Sequence, residues 1–404
     1  MKKIVLAYSG GLDTSFCIPY LTDKYNAEIY TVTVDCAGLS EQDKNDLESQ
    51  ALKLGAKSHT TIDGTQLLYD QVLSYLIKGN VLRDRTYPLS VGSERFIQAK
   101  LAAEFASAIG ADAIAHGSTS AGNDQIRFDT ALKTLNPDLE IITPIRDEQF
   151  TRAYQTEFLK KYDVHFSSKK SPYSINSGLW GTTVGGHETL TSEKPLPFEA
   201  FPHLPEPENL NDTPEVVSFS FEEGLPTAVN GISMTPLTLL KHLENLGIAH
   251  GIGRGMHTGD TIIGIKGRIG FEAPVATLLY TAHSELEKIV LTKWQRHLKN
   301  MLSDHYGMML HEAQYFDPVM RDIEAFFDQS QKHVTGTIDL HLYHGSIFPQ
   351  GASSPFSLMK SKKALYGEQS QLWSGEEAKA FSKIYGLSSV LSNQLANKQE
   401  YGNS

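Results

Sequence analysis

The sequence predicts an α/β protein: residues 1–165 form a doubly wound parallel sheet, followed by a second, mixed α+β domain and a helical C-terminal tail. Three observations predict this. Over residues 1–165 short apolar runs alternate with amphipathic stretches, the pattern of successive strand–helix units. A glycine turn, Ser9-Gly10-Gly11, stands where the first apolar run meets the first helical pattern. Composition shifts near Thr191, and between Pro195 and Pro214 six prolines interrupt the periodicity, as in an extended connector lying on the surface.

Taken in order, Ile4–Tyr8 reads as a buried strand and Thr14–Leu21 as the helix after it. Ile29–Val34 is rich in β-branched residues, which suit a pleated surface, and reads as the second strand. Glu41–Leu54 is a polar-faced helix closed by Gly55, and Ser58–Ile62 a third strand. Glu94–Ile109 carries apolar residues at helical spacing up to Gly110, and Ala113–His116 and Ile141–Thr143 are further strands. Beyond the connector, Val216–Phe221, Thr261–Ile265 and Gly336–Tyr343 read as strands. Pro236–Leu246, Ala282–Leu302 and Pro318–Phe327 read as helices. Glu376 to Gln399 is helical but short of apolar anchors; such a tail packs on a partner subunit or frays. The expected domains are 1–165, 166–370 and 371–404.

The chain has 404 residues, 40% of them apolar, enough for more than one domain with a sizeable core. Its net charge of −11 makes it a poor default partner for nucleic acid or an anionic membrane. Two cysteines, Cys17 and Cys36, cannot make a disulfide framework, and no Cys/His cluster has zinc spacing. The basic start Lys2-Lys3 is followed by too short an apolar run for a signal peptide, and no run is long enough to span a bilayer. These features imply a soluble, cytoplasmic protein.

The strongest local signal is Ala7-Tyr8-Ser9-Gly10-Gly11-Leu12-Asp13-Thr14-Ser15. Glycines let the backbone turn tightly and approach a ligand, and the free N–H groups and dipole of a helix start favour an anion. Ser9, Thr14 and Ser15 add hydroxyl donors. Asp13 has two readings: it holds the loop through backbone hydrogen bonds, or it meets the Mg2+ that travels with a nucleotide. The Gly-Lys-Ser/Thr end of a Walker A loop is missing, and so is Gly-x-Gly-x-x-Gly. The loop resembles the pyrophosphate-binding loop of the ATP pyrophosphatases, whose fold is of the adenine nucleotide alpha hydrolase type. Members of that superfamily cleave ATP between its α and β phosphates, adenylate a substrate and let a nucleophile displace AMP.

A second strand-to-helix corner, His116-Gly117-Ser118-Thr119-Ser120-Ala121-Gly122-Asn123-Asp124-Gln125-Ile126-Arg127-Phe128, offers a hydroxyl, an amide, a carboxylate and a guanidinium close together. A ligand bearing both an ammonium and carboxylates needs that mixture. This segment resembles the argininosuccinate synthase family. Further matches follow in order: Ala51–Ala56, Ile142–Arg146, Ser171–Ser174, Leu179–Gly181, Gly251–Arg254 and Tyr343–Ser346.

The resemblance, which covers residues 2 to 365, implies a ligase that condenses citrulline with aspartate through citrullyl-AMP. MgATP would be a substrate, with no tightly bound cofactor, no enzyme nucleophile and no protein metal site beyond Asp13. It also implies a homotetramer. By the same carry-over Ala7, Tyr8, Ser9, Gly10, Gly11, Leu12, Asp13, Thr14, Ser15, Asp35 and Gly117 bind ATP. Thr119, Asn123 and Asp124 contact aspartate. Tyr87, Asn123, Arg127 and Ser174 contact citrulline. On residue type alone Tyr87 reads as a half-buried aromatic.

Departures from the family pattern gather on the citrulline side. Gly92 stands where a Ser is frequent, with Ser90 and Ser93 beside it; Thr183 replaces a Ser; Phe271 stands where a Tyr is expected. Ser120 and Ala121 stand where Gly-Lys is common. An acid that partners the α-ammonium of citrulline aligns with Gly259, next to Asp260. The simpler repair is a one-residue shift to Asp260 with plain citrulline as substrate; the alternative is an Nα-acylated citrulline, which has no ammonium. A non-catalytic nucleotide sensor on the same scaffold would keep the first loop and lose the second. A tRNA-modifying relative would want a basic face, and a glutaminase-fed synthetase more chain. His341 and His344, three apart in a predicted strand, face opposite sides and cannot share a metal ion. Lys360–Lys363 reads as a solvated turn.

Overall fold

A computed structural model describes residues 1–36, 39–120, 122–166, 172–210, 213–361, 366–367 and 372–401. Ala121, Ser171, Lys362 and Lys363, named above, lie outside the described residues. The chain forms two compact units, Met1–Phe356 and Ser357–Ser404.

The first unit begins with β1 (Lys2–Ala7), β2 (Ala27–Asp35), β3 (Ser58–Asp63), β4 (Ala113–His116) and β5 (Glu140–Ile142). They form one parallel sheet in the order β3-β2-β1-β4-β5. Ile4, Val5 and Leu6 have no exposed surface, since helices cover both faces, and this is why β1 reads as a continuous apolar run. The first crossover helix, Leu12–Tyr25, buries Phe16 and Ile18 on one face of the sheet. Helix Glu94–Ala108 buries Phe96 and Ile97 in a second core that holds Val5 and Ile114. The chain order reverses between β1 and β4, the switch point beside which open α/β sheets bind ligands.

The rest of this unit contains β6 (Tyr173–Gly178), β7 (Gly181–Gly186), β8 (Glu215–Glu222), β9 (Leu225–Val229), β10 (Ile232–Ser233), β11 (Arg254–Asp260), β12 (Lys266–Glu272), β13 (Gly336–Tyr343) and β14 (Ser346–Ser353). Two antiparallel sheets result, ordered β10-β9-β8-β13-β14 and β11-β12-β7-β6. The predicted strand over Thr261–Ile265 is instead the turn that joins β11 to β12. Thr261 N donates to Ile265 O at 2.8 Å, and Gly264 adopts φ +82°. Its β-branched residues suited a strand, but the turn geometry at Gly264 decides.

The long helix expected over Ala282–Leu302 is two, Pro274–Val290 and Lys293–His311. Thr292 breaks it by capping the second: its side chain accepts from Gln295 N, and Gln295 reaches back to Thr292 N. The proline connector is not confined to the surface, because Ala200, Phe201 and Leu204 are buried. His344 stands in the β13–β14 turn at φ +46°, not in the strand with His341. The second unit carries the expected tail helices, Gly375–Tyr385 and Leu387–Tyr401. Among the described residues no helix is long and apolar enough to cross a membrane.

Trp180, fully buried in the β6–β7 turn, donates from Nε1 to Pro88 O at 3.1 Å and so anchors the loop carrying Tyr87. Trp180→Ala should lower stability by about 3–5 kcal/mol, read as a lower urea midpoint.

Candidate active site

The first loop is shaped by its own hydroxyls. Gly10 has φ +74°, and a Cβ there would fall 2.5 Å from Leu47 Cδ2, so the tight turn needs glycine. Gly11 caps helix Leu12–Tyr25 with no side-chain bond, which leaves the helix start open towards the cleft. Ser9 and Thr14 hydroxyls lie 3.2 Å apart, and Thr14 Oγ1 donates to Gly11 O. Gln50 Nε2 donates to Gly10 O at 3.2 Å and to Ser15 Oγ at 2.8 Å. Ala7, Tyr8, Ser9, Gly11, Leu12, Asp13 and Thr14 therefore line a cavity of about 510 Å³ together with Asp35 and Gly117. Gly10 and Ser15 do not line it: Ser15 is fully buried and braces the turn by donating to Gly10 O. Asp35, at the end of β2, accepts from Leu39 N at 2.9 Å.

The second loop packs against the first. A Cβ on Gly117 would stand 2.9 Å from Thr14 Cγ2 and 3.2 Å from Thr14 N, so only glycine lets the two corners meet at this spacing. Behind it, Ser118 N donates to His116 Nδ1, which leaves Nε2 to donate to Asp129 Oδ1 at 2.8 Å. Arg146 holds the other Asp129 oxygen at 2.6 Å. Burial alone would raise the Asp129 carboxyl, but these two donors outweigh it and hold it below the ordinary range.

A second cavity of about 600 Å³ adjoins the first and shares Asp13, Gly117, Ser118 and Asp124 with it. Thr119, Asn123, Asp124, Arg127, Tyr87, Ser174, Thr183 and Asp260 all line it. Asp124 accepts from Arg95 Nε at 2.9 Å and from Arg127 Nη1 at 3.1 Å. Its burial works against ionisation, yet the two guanidinium groups win and keep it charged. Asn123 Oδ1 accepts from Ile262 N at 3.0 Å, tying this loop to the β11–β12 turn. Tyr87 is buried and lies parallel to the His257 ring at 5.5 Å.

Asp260 lines the same cavity as Gly259, with its carboxylate committed to a neighbouring cation. It pairs with Lys266 across the hairpin at 2.6 Å.

Several lining residues carry no motif. Arg95 lines both cavities; its signal was a cation at the second position of a helix that begins beside the cleft. His257 and His311 come from a hairpin strand and a distant helix end, and nothing local in the sequence points to either. Glu94 lines the first cavity, where burial pushes its carboxyl up to about 8 and its Oε1 accepts from Leu179 N.

A glycine corner at the switch point of a parallel sheet, opening onto a cavity walled by paired charges, defines a nucleotide-binding α/β protein that holds a polar ligand beside the nucleotide. Residues 3–165 match the arginosuccinate synthase N-terminal HUP domain, and residues 173–392 match the arginosuccinate synthase C-terminal domain. Argininosuccinate synthase of Methanocaldococcus jannaschii is 37% identical over 392 residues, 97% of this chain and 98% of the relative. That of Xanthomonas campestris pv. campestris is 39% identical over 406 residues, 98% of this chain and 99% of the relative. The Xylella fastidiosa protein of the same name is 38% identical and covers 96% of this chain and 97% of its own length. The chain belongs to the argininosuccinate synthase family of ligases.

Glu94 gives a pH signature. Its folded-state pKa lies above the unfolded value, so folding binds a proton between the two. Stability should fall as pH climbs from the ordinary carboxylate range to about 8, and Glu94→Gln should flatten that decline in denaturation midpoints measured against pH.

Proposed function

We propose that the chain joins the ureido carbon of citrulline to the amine of aspartate at the expense of ATP. The ureido oxygen attacks the α-phosphorus, forming a C–O–P bond as the α–β bridge breaks and pyrophosphate leaves. The aspartate amine, deprotonated, then attacks the ureido carbon, and AMP leaves with the former ureido oxygen. The observation that carries this reading is the contact between the two corners: Gly117 against Thr14 sets the polar cleft directly beside the anion-binding helix start. Holding three substrates in one frame can supply much of the rate enhancement for such a reaction.

In this reading Ala7–Ser15, Asp35 and Gly117 serve ATP, with Gly10 and Ser15 shaping the turn. MgATP enters as substrate, and Asp13 at the open helix start meets the Mg2+. Asp124 takes the ammonium of aspartate, while Thr119 and Asn123 donate to its carboxylates. Tyr87, Asn123, Arg127, Ser174 and Thr183 surround the citrulline. Residues 1–165 activate ATP, 166–370 complete the substrate cleft, and 371–404 join subunits of a homotetramer in the cytoplasm. Exposed Phe381, Ile384 and Tyr385 on the tail suit burial against a partner copy.

Steady-state pyrophosphate release should require ATP, aspartate and the ureido substrate together. Asp124→Ala should cut aspartate-dependent turnover by about 100-fold or more while ATP binding, followed by calorimetry, survives. Unchanged turnover would refute the assignment of this loop.

A further inference from the structure

With Gly259, the second cavity is lined by Tyr87, Gly92, Arg127, His257, Asp260 and His311. Among the described residues, the carboxylates lining the cavity are Asp13, Asp124 and Asp260. Asp13 belongs to the first loop. Asp124 lies between Arg95 and Arg127, and Asp260 is paired with Lys266 across the hairpin. The acid closest to Gly259 is Asp84, whose Oδ2 would stand 3.1 Å from a Cβ at that position. It does not line the cavity and is flanked by Arg83 Nε at 3.4 Å and His257 Nε2 at 3.7 Å.

Against the three lining carboxylates the cavity is lined by three guanidinium groups, Arg95, Arg127 and Arg268. Two guanidinium groups share the single Asp124 carboxylate, and the buried Arg127 Nε has no hydrogen-bond partner. The two imidazoles register the local field. Burial, together with the charges of Arg127 and Arg83, holds His311 down at about 4, and His257 is lowered by burial and Arg83 against the pull of Asp84. The His311 ring already uses both nitrogens, Nδ1 with Arg127 Nη2 at 3.4 Å and Nε2 with Asp260 O at 3.0 Å, and so offers an ammonium no acceptor. An ammonium placed there would lose its water beside Arg127, while the acids near Gly259 are already paired, Asp260 with Lys266 and Asp84 with Arg83, which is costly. An amide carries no such penalty, and a distant carboxylate would be attracted.

We propose that the ureido substrate is a citrulline acylated on its α-nitrogen, with a carboxylate-ended acyl group such as succinyl, and that the Gly259 end of the cavity receives the acyl amide where a free ammonium would otherwise sit. The proposal rests on the ligase reading above and specifies its substrate; the ureido chemistry is unchanged. It also places hydrolysis of the acyl amide after this condensation rather than before it.

The test is kcat/KM for pyrophosphate release by the full-length enzyme at saturating ATP and aspartate, with citrulline, Nα-acetylcitrulline and Nα-succinylcitrulline compared. Nα-succinylcitrulline should exceed free citrulline by about tenfold or more. A preference for the acetyl form over both others keeps the acylated nitrogen and overturns the anionic end. Equal or better use of free citrulline overturns the proposal and leaves the ligase reading intact. If Asp84→Asn also removes that citrulline activity, Asp84 is the ammonium partner. Absence of turnover with all three overturns the ligase reading and the substrate proposal together.

Discussion

The parallel pairing of β1 with β4 is the constraint on which the rest depends. Ala7 lies opposite His116, so the two strands end at the same level and their following loops leave the sheet side by side. The two glycine corners are thus neighbours because of sheet register, not because of a long-range side-chain contact. Gly117 converts that adjacency into contact by letting its backbone rest on Thr14. A one-residue slip between β1 and β4 would misalign both corners and turn buried Ile114 towards the wrong face.

Charge is arranged on the same scaffold. The chain as a whole carries −11, so a site for an anion such as ATP needs local attraction. The open start of helix Leu12–Tyr25 supplies it for phosphate, and Arg95 and Arg127 supply it beside Asp124. His116, Asp129 and Arg146 form a hydrogen-bonded chain behind the second loop, fixing the imidazole so that the loop keeps its shape before substrate arrives. Preorganisation of this kind is what the proposed reaction, with no enzyme nucleophile, would depend on.

Much of this was legible in the sequence because it is local. Strands β1, β2 and β4 announced themselves by apolar or β-branched runs, the half-buried β3 by its Thr-Thr-Ile segment, and both corners by glycines and small polar residues at strand ends. What escaped was non-local. His257 and His311 reach the cavity through a hairpin and a helix end, with no signal near either. Thr261–Ile265 has the composition of a strand and the geometry of a turn, because Gly264 at positive φ closes the hairpin. Thr292 splits a pattern that otherwise runs on as one helix, since its side chain satisfies the N–H groups of the next. Asp260, expected to stand in for the acid missing at Gly259, lines the same cavity with its carboxylate paired to Lys266 across the hairpin.

The central claim is that the paired corners bring the α-phosphorus of ATP to the ureido oxygen of a substrate in the adjoining cleft. The most direct measurement uses substrate labelled with 18O at the ureido oxygen and mass spectrometry of the products. The account predicts that the label leaves in the phosphate of AMP. Label found in water or kept in the condensed product, with unlabelled AMP, would contradict it.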